Sequence, residues 1–436
     1  MSYSVYEMRW IPMDIKGYKH RVVDEDVETY LQAMGALCIE GPKWCGKTWT
    51  SRYHANSEFL VGDPEGNFAN RNLAELSVSA ILPGDTPRLI DEWQEVPTIW
   101  DAIRYEVDKR GEKGQFIITG SSTPQRKGVL HSGAGRIARL RMRPMTLFES
   151  GKSSGSVSLR ELCDGDIGTV LTGEVSLTGI IDSIIRGGWP ESQDLPIDIA
   201  AKIPGQYINA VIEDDVYRID GVQRNKRKLH LLLRSLARNE STTASNSTLV
   251  KDIKDTDSED IDRDTVKSYL DLFDRMFLLD DQKPFAAKLR SSVRVKQAEK
   301  RHLADPSLAC TLLGATKDML LHDLETLGFL FEALCERDLR VYGDSFGATL
   351  YHYQDYSGKE IDAVLELPDG EWVAFEIKLG ANQIDGAAGN LLEIKKAIHD
   401  DGGKEPKVCC VICGMSNAAY RREDGVYVIP ITALRP

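Results

Sequence analysis

The residues best suited to chemistry fall in two groups. The first is Gly41-Pro42-Lys43-Trp44-Cys45-Gly46-Lys47-Thr48, followed by Trp49, which fits the spacing G-x-x-x-x-G-K-[ST]. It follows the apolar run at 36–39 and precedes a helical pattern, the context in which such a loop cradles phosphates. Its glycines let successive N–H groups converge on an anion, and the helix N-terminus adds partial positive charge. Lys47 suits the β- and γ-phosphates, and the Thr48 hydroxyl suits a magnesium ion. Asp91 and Glu92 end a later apolar run, Arg88-Leu89-Ile90. Carboxylates at the C-terminal end of a strand lie beside the phosphate loop in an open α/β sheet. Asp91 is therefore a candidate magnesium ligand, and Glu92 a candidate to orient or deprotonate the attacking water. A solvated acidic turn would carry the same two residues. A further apolar run ends in Thr119-Gly120-Ser121-Ser122. These hydroxyls suit the attacking water or the γ-phosphate, and equally a helix N-cap. The cofactors implied are ATP and Mg2+.

The second group is C-terminal. Glu360, Asp362 and Glu366 lie in one alternating run, and Glu376 and Lys378 in the next, with a turn at Pro368-Asp369-Gly370 between them. Such a pair reads as a hairpin. Glu376 and Lys378 project to one face, because successive strand side chains alternate, and Asp362 can meet Glu376 across the strands. Two carboxylates that hold magnesium, with a lysine to position or deprotonate water, are what phosphodiester hydrolysis requires. An ion-pair ladder on an exposed hairpin would use the same residues.

These groups need elements to hold them. The chain has 436 residues, 42% of them hydrophobic and 28% charged, a soluble globular composition long enough for two or three domains. No apolar run reaches the roughly 18 residues of a membrane span, and the N-terminus lacks a secretory pattern. The expectation is a cytoplasmic protein with no membrane partner. A net charge of −13 argues against non-specific coating of nucleic acid and leaves room for local basic surfaces. Two basic stretches stand out: Arg218, Arg224, Lys226, Arg227, Lys228 and Arg234, then Lys283, Lys288, Arg290, Arg294, Lys296, Lys300 and Arg301. Cys410 and Cys413 have C-x-x-C spacing but lie in a strand-like run with no second pair, which favours core packing over metal or redox chemistry.

Short apolar runs alternate with helical patterns over about 36–145, implying a parallel sheet with helical crossovers. Residues 151–175, rich in Gly, Ser and Thr, read as a loop or lid connection. Helical patterns dominate 178–280, the best over 264–279, where Val266, Tyr269, Leu270, Phe273, Met276 and Phe277 share a face. A helix is expected around 317–339, then strands at 349–354, 360–366, 372–378 and 407–413.

The series GPKWCGKT, LIDEWQ, FIITGSS and SGAGRIARLRMRPMTLFE resembles the AAA+ ATPases of prokaryotes, and most of all a group that carries a C-terminal nuclease-like domain. RGGWPE, from Arg186 to Glu191, is similar to that group's Gly-Gly-aromatic-Pro segment, and the resemblance covers nearly the whole chain. It implies an oligomeric assembly, a ring among the options, with an arginine entering each nucleotide site from a neighbour. Arg136 is the candidate finger, though a surface salt bridge would also suit it, and Arg186 is a candidate nucleotide sensor. The C-terminal pattern resembles the PD-(D/E)xK nucleases. Asp362, Glu376 and Lys378 stand for its core, Glu332 matches its upstream helical glutamate as a metal ligand, and Gln383 lies where some members place a further polar residue. Ile361 replaces the proline of the motif's name. The architecture expected is an N-terminal extension at 1–30, an AAA+ P-loop parallel sheet at 31–150, a helical lid or connection at 151–225, a winged-helix-like domain at 226–304, and a restriction-endonuclease-like α/β domain at 305–436. In the winged-helix reading Arg290, Arg294 and Lys296 contact DNA phosphates; in the plainer one the region is a helical lid with solvated charges. The function expected is ATP-driven action on nucleic acid, DNA in the first instance, with an ATP-dependent switch or scaffold as the alternative.

Overall fold

The computed structural model describes residues 17–123, 129–286, 298–355 and 358–436, which form two compact units, Met1–Met142 and Arg143–Pro436. In the first, strands β1 (Ala36–Glu40), β2 (Ser57–Leu60), β3 (Arg88–Asp91), β4 (Phe116–Gly120) and β5 (Ile137–Arg141) make a parallel sheet in the order β2-β3-β4-β1-β5. Both faces are covered. Ala36 and Cys38 pack with Ile90, Trp93, Trp100, Phe116 and Ile118 on one side. Leu37 and Ile39 pack with Val27, Leu31, Leu89 and Ile117 on the other. Burial on both faces is why these strands read as continuous apolar runs rather than alternating ones. Because β4 lies between β1 and β3, the strand ends that carry the phosphate loop, Asp91 and Thr119 sit side by side.

The second unit opens with helices whose starts are set by side-chain caps. Ser176 caps Leu177–Arg186, Asn225 caps Lys226–Arg238, Ser245 caps Asn246–Asp257 and Asp262 caps Arg263–Arg275. Each accepts a backbone N–H that the helix itself cannot satisfy. The last of these helices buries Val266, Tyr269, Leu270 and Phe273, the face its spacing predicts. Antiparallel bridges follow, Leu279 with Leu303 and Gln282 with Lys300, and Thr242 joins Arg301. The helix expected over 317–339 is two, Lys317–His322 and Leu324–Asp344, parted at Asp323, whose carboxylate caps the second.

The remaining strands are β6 (Val157–Ser158), β7 (Val170–Leu171), β8 (Thr349–Gln354), β9 (Glu360–Glu366), β10 (Trp372–Lys378), β11 (Val408–Cys413), β12 (Ala418–Arg421), β13 (Tyr427–Pro430) and β14 (Leu434–Arg435). Seven form one sheet in the order β7-β12-β13-β11-β10-β9-β8, and β6 pairs with β14. Strands β8, β9 and β10 are an antiparallel meander, and helix Ile384–Asp400 carries the chain across to β11, parallel to β10. The segment 151–175 differs from the loop expected of it. Ser158 caps a short helix, Leu159–Asp164, that buries Leu159, Leu162 and Cys163, and Val170 and Leu171 extend the sheet along Ala418 and Ala419. Its Gly and Ser content hid a few apolar residues that suffice to dock it. Cys410 and Cys413 are both buried in β11, and their odd spacing turns them to opposite faces, so their spacing is that of a core strand. Among the described residues no helix is long and apolar enough to cross a membrane.

Buried charges knit this unit together. Arg143 reaches Asp280 at 2.6 Å and Asp344 at 2.5 Å. Arg337 donates to Asp305 at 2.9 Å and doubly to Asp338 at 2.9 and 2.7 Å. Asp305 also accepts the Gly188 N–H at 2.9 Å, and Asp338 the Leu147 N–H at 2.9 Å. A Cβ at Gly187 would come within 2.4 Å of Asp305, and one at Gly188 within 2.2 Å of the Met145 carbonyl. Removing one partner of such a buried group leaves charge uncompensated, at a cost of about 3–5 kcal/mol. Arg337→Met is therefore expected to lower the stability of the second unit by that amount, read as a drop in the urea midpoint, whereas an unchanged midpoint would show that Asp305 and Asp338 are not held by this arginine.

Candidate functional site

The phosphate loop is bent by backbone that only a few residues accept. Gly46 has φ 107° and Trp44 φ 64°, and a Cβ at Gly41 would meet the Met142 carbonyl at 2.1 Å. The Lys47 ammonium is buried and donates to the loop's own Gly41 and Pro42 carbonyls at 3.0 and 2.8 Å. The Arg21 guanidinium braces the loop from outside, 2.7 Å from the Cys45 carbonyl. Trp44 and Trp49 are both about half exposed, at 47% and 45%, beside the loop and at the start of helix Lys47–His54.

Next to the loop is a chain of oxygens. Thr48 Oγ1 donates to Asp91 Oδ1 at 3.0 Å, and Thr119 Oγ1 donates to the same oxygen at 2.6 Å. Burial pushes the Asp91 carboxyl up, against the Thr119 hydrogen bond, which favours the anion. Glu92 stands at φ 59°, a left-handed conformation that is costly outside glycine and tends to be kept at working sites. Its N–H donates to Thr119 Oγ1 at 2.9 Å, and its carboxylate accepts from Ser121 at 2.9 Å and from Gln94. Sequence reasoning singled out Thr119 and Ser121 and missed Gln94. The only sequence signal for Gln94 was its place in the turn that follows Glu92. Asp91 and Thr48 offer hard oxygen donors 3.0 Å apart, a set that suits magnesium. Arg136 lies away from this group. It is half exposed and pairs with Asp108 at 2.8 Å. Arg186 donates to the Ser192, Gln193 and Leu195 carbonyls, so its guanidinium is engaged in closing the turn that follows its own helix.

In the second unit β9 and β10 bring the expected residues together. Lys378 Nζ is 3.0 Å from Asp362 Oδ2 and 2.7 Å from Glu376 Oε2. The Ile377 N–H also donates to Asp362 Oδ2, at 2.7 Å, and Asn390 donates to Glu376 Oε1 at 2.7 Å. Glu376 is 4% exposed. Burial and the neighbouring Asp362 charge push its carboxyl up to about 7, against the pull of Lys378. The burial of Lys378 opposes its charge, yet Asp362 and Glu376 hold its ammonium above the usual lysine range. Glu332 is nearby in a different partnership, ion-paired with Lys300. Burial, partly offset by Lys300, lifts its carboxyl to about 8. Gln383 accepts the Gly380 N–H at 3.0 Å and serves the turn. Among the described residues no three His, Cys, Asp or Glu side chains gather as a ready-made metal cage.

Lys300 and Arg301, read from sequence as part of a basic stretch, turn inward. Lys300 meets Glu332 and Glu336, and Arg301 meets Asp281 at 2.5 Å. Lys288, Arg290, Arg294 and Lys296 lie outside the described residues. In the earlier stretch Lys226 pairs with Glu213, Arg227 with Glu259 at 3.3 Å and Arg234 with Asp257 at 3.7 Å, so acids from neighbouring segments pair with three basic side chains of a helix that has no acid of its own. Asn390 was missed because it lies in the crossover helix, away from the motif in sequence.

Comparison with known proteins divides the chain into three. Residues 34–150 match the family model described as AAA domain, residues 178–319 a domain of unknown function (DUF8612), and residues 327–434 another (DUF4143). An uncharacterized protein of Mycobacterium tuberculosis, Rv2008c, and one of Mycobacterium bovis, Mb2031c, are each 25% identical over 353 residues, covering 78% of this chain and 70% of theirs. Among solved structures, the Walker-type ATPase PABY2304 of Pyrococcus abyssi is 13% identical with TM-score 0.40, covering 66% of this chain and 94% of its own. The ORC2 protein of Aeropyrum pernix is 11% identical with TM-score 0.30, covering 73% and 98%. With the loop, the acidic strand end and the strand order in place, the N-terminal part of the chain is a nucleotide-binding domain of the AAA+ P-loop ATPase type.

Proposed function

We propose that the chain hydrolyses ATP in its N-terminal domain and acts on nucleic acid, DNA in the first instance, through a magnesium-dependent nuclease-like C-terminal domain. The observation that carries the second half is the Lys378 ammonium, 3.0 and 2.7 Å from two carboxylates on neighbouring strands. The order of a helix, an antiparallel meander, a crossover helix and a parallel strand supports a restriction-endonuclease-like core. The helices from Lys226 to Arg275 and the bridges after them support a winged helix.

In the nucleotide site Lys47 exchanges the Gly41 and Pro42 carbonyls for phosphate oxygens. Thr48 and Asp91 would hold a magnesium ion, and Glu92, fixed by Ser121 and Gln94, would take a proton from the attacking water. Arg136 is exposed enough to enter a neighbouring copy's site, which supports a homo-oligomer. In the C-terminal site Asp362 and Glu376 would hold magnesium, which favours few protein carboxylates and keeps several waters, so two suffice without a cage. Bound there, the ion would polarise the phosphodiester and ease water deprotonation. Asn390 fixes the Glu376 carboxylate, and Lys378 orients or deprotonates water. A binding-only C-terminal domain in an ATP-dependent switch or scaffold is the second reading. It draws support from the same two carboxylates being ion-paired with Lys378 of the chain itself.

Two outcomes are expected. Lys47→Ala should lose binding of a fluorescent ATP analogue. Glu92→Gln should keep binding but turn over ATP at least about 100-fold more slowly, the scale of a lost general base; wild-type turnover in Glu92→Gln would remove that role. With mixed DNA substrates and magnesium or manganese, wild type should cut and Lys378→Ala should not, while Lys47→Ala reports whether ATP gates the cut. Intact DNA throughout, with ATP still hydrolysed, would favour the switch.

A further inference from the structure

We propose that Lys300 is a built-in cation that claims Glu332, so that the C-terminal site takes a single divalent ion, on Asp362 and Glu376 alone. This rests on the magnesium reading above and goes beyond it in the number of ions and the identity of their ligands. Lys300 is 5% exposed. Its ammonium has three protons and three acceptors: Glu332 Oε1, Glu336 Oε1 at 3.2 Å and the Asp362 backbone carbonyl at 3.0 Å. The backbone is fixed as well. Lys300 and Gln282 exchange N–H···O bonds of 2.9 and 2.8 Å across their bridge. Glu336 is held on its other oxygen by His302 Nε2, and His302 Nδ1 lies 3.1 Å from Glu240. Acidic and basic side chains therefore alternate along a buried row, Glu332, Lys300, Glu336, His302, Glu240, each against the next.

That row distinguishes the two lysines of the site. Lys378 is partly exposed and touches two carboxylates at the edge of the site. Incoming ions or phosphate can displace it at small cost. The carboxylates under the two lysines are similarly buried, but the Lys300 side chain is 6% exposed against 27% for that of Lys378, so displacing Lys300 strands its own charge as well, at a cost of several kcal/mol. A two-metal centre needs carboxylates that bridge or flank ions about 3.5–4 Å apart. Here the third carboxylate of the set already has its cation, and one charge of the second ion is supplied by the chain.

The test is Mn2+ binding to the full chain without nucleotide, in an Asp91→Asn background that removes the carboxylate ligand of the nucleotide site, followed by the electron paramagnetic resonance of free Mn2+. The expected result is a single Mn2+ per chain. Asp362→Asn should weaken it at least about tenfold, the scale of a lost ligand or its support. Glu332→Gln should leave the affinity within about twofold of the parent, well short of that scale, and Lys300→Met should admit a second ion. Two ions in the parent, or a loss in Glu332→Gln equal to that in Asp362→Asn, overturns the proposal, and the Glu332→Gln arm decides it if Lys300→Met does not fold. If the parent binds no Mn2+, the magnesium reading fails, and the Lys300 pairing is judged by thermal unfolding. Lys300→Met and Glu332→Gln should then be strongly non-additive as residues in contact are, and additive losses would sink the pairing too.

Discussion

The second unit depends on charges that have been taken out of water and made to satisfy one another. Arg337 sits between Asp305 and Asp338, and those two carboxylates in turn hold the backbone of Gly188 and Leu147. Four stretches meet there: the segment after Arg143, the Gly-Gly turn, Asp305 at the start of helix Pro306–Leu313, and the helix Leu324–Asp344. The helix contributes its arginine and aspartate from adjacent positions, which is possible only because its last turns are buried on all sides. An apolar cluster could stabilise as much, but it would not demand one register. A buried ion set does, because any slip leaves a charge unpaired. The glycines at 187 and 188 follow from the same constraint, since a side chain at either would collide with Asp305 or the Met145 carbonyl.

This explains which parts of the sequence could be read. The phosphate loop was legible because its chemistry is local. Gly41, Gly46, Lys47 and Thr48 do their work within one turn, and the spacing is the structure. Asp91 and Thr119 were nearly as legible, because a strand's last residue must face the loop once the sheet is parallel. The hairpin of Asp362, Glu376 and Lys378 could be read from alternation alone. What sequence reasoning could not reach were residues whose partners are distant. Lys300 and Arg301 looked like the end of a basic surface because composition carries sign but not direction. Their acidic partners, Glu336 and Asp281, lie in other elements. Arg186 is a different case, since its guanidinium donates to the nearby carbonyls of 192–195, a turn closure that RGGWPE does not announce. The segment 151–175 was misjudged for a related reason. Strands as short as Val157–Ser158 and Val170–Leu171 have no period to detect, and only the waiting edges at Leu434 and Ala418 make them strands.

The two candidate sites use opposite physics for similar ligands. At the phosphate loop the positive groups are Lys47, held by backbone carbonyls, and the loop N–H groups, and the acids are few and individually tied by hydroxyls. Thr119 holds Asp91, and Ser121 and Gln94 hold Glu92. Neutral donors fix a carboxylate without cancelling its charge, so its full pull on a cation or proton is kept. At the C-terminal site the acids are held by ammonium groups instead. There the carboxylates are closer to charge balance before anything binds, and burial has raised the proton affinity of Glu376 and Glu332. A cation arriving at the first site meets unspent negative charge. One arriving at the second must compete with a lysine.

On the magnesium reading proposed above, that competition would give the second site a threshold. Lys378 is the partner that can yield, since its side chain reaches the surface and its removal from Asp362 and Glu376 exposes it to solvent rather than stranding it. When it yields, its ammonium remains within reach of whatever the carboxylates have gained, which is where a group that steers a water or a phosphate oxygen belongs. Lys300 plays the complementary part by not yielding. With Glu332 fixed to it, the negative charge left for a ligand is that of Asp362 and Glu376, and the affinity of the site is set by how well one ion repays the loss of one ammonium. On the function proposed above, a site balanced in this way would favour a ligand that brings both a divalent ion and a polyanion, because the polyanion would supply the new partner that a displaced Lys378 requires.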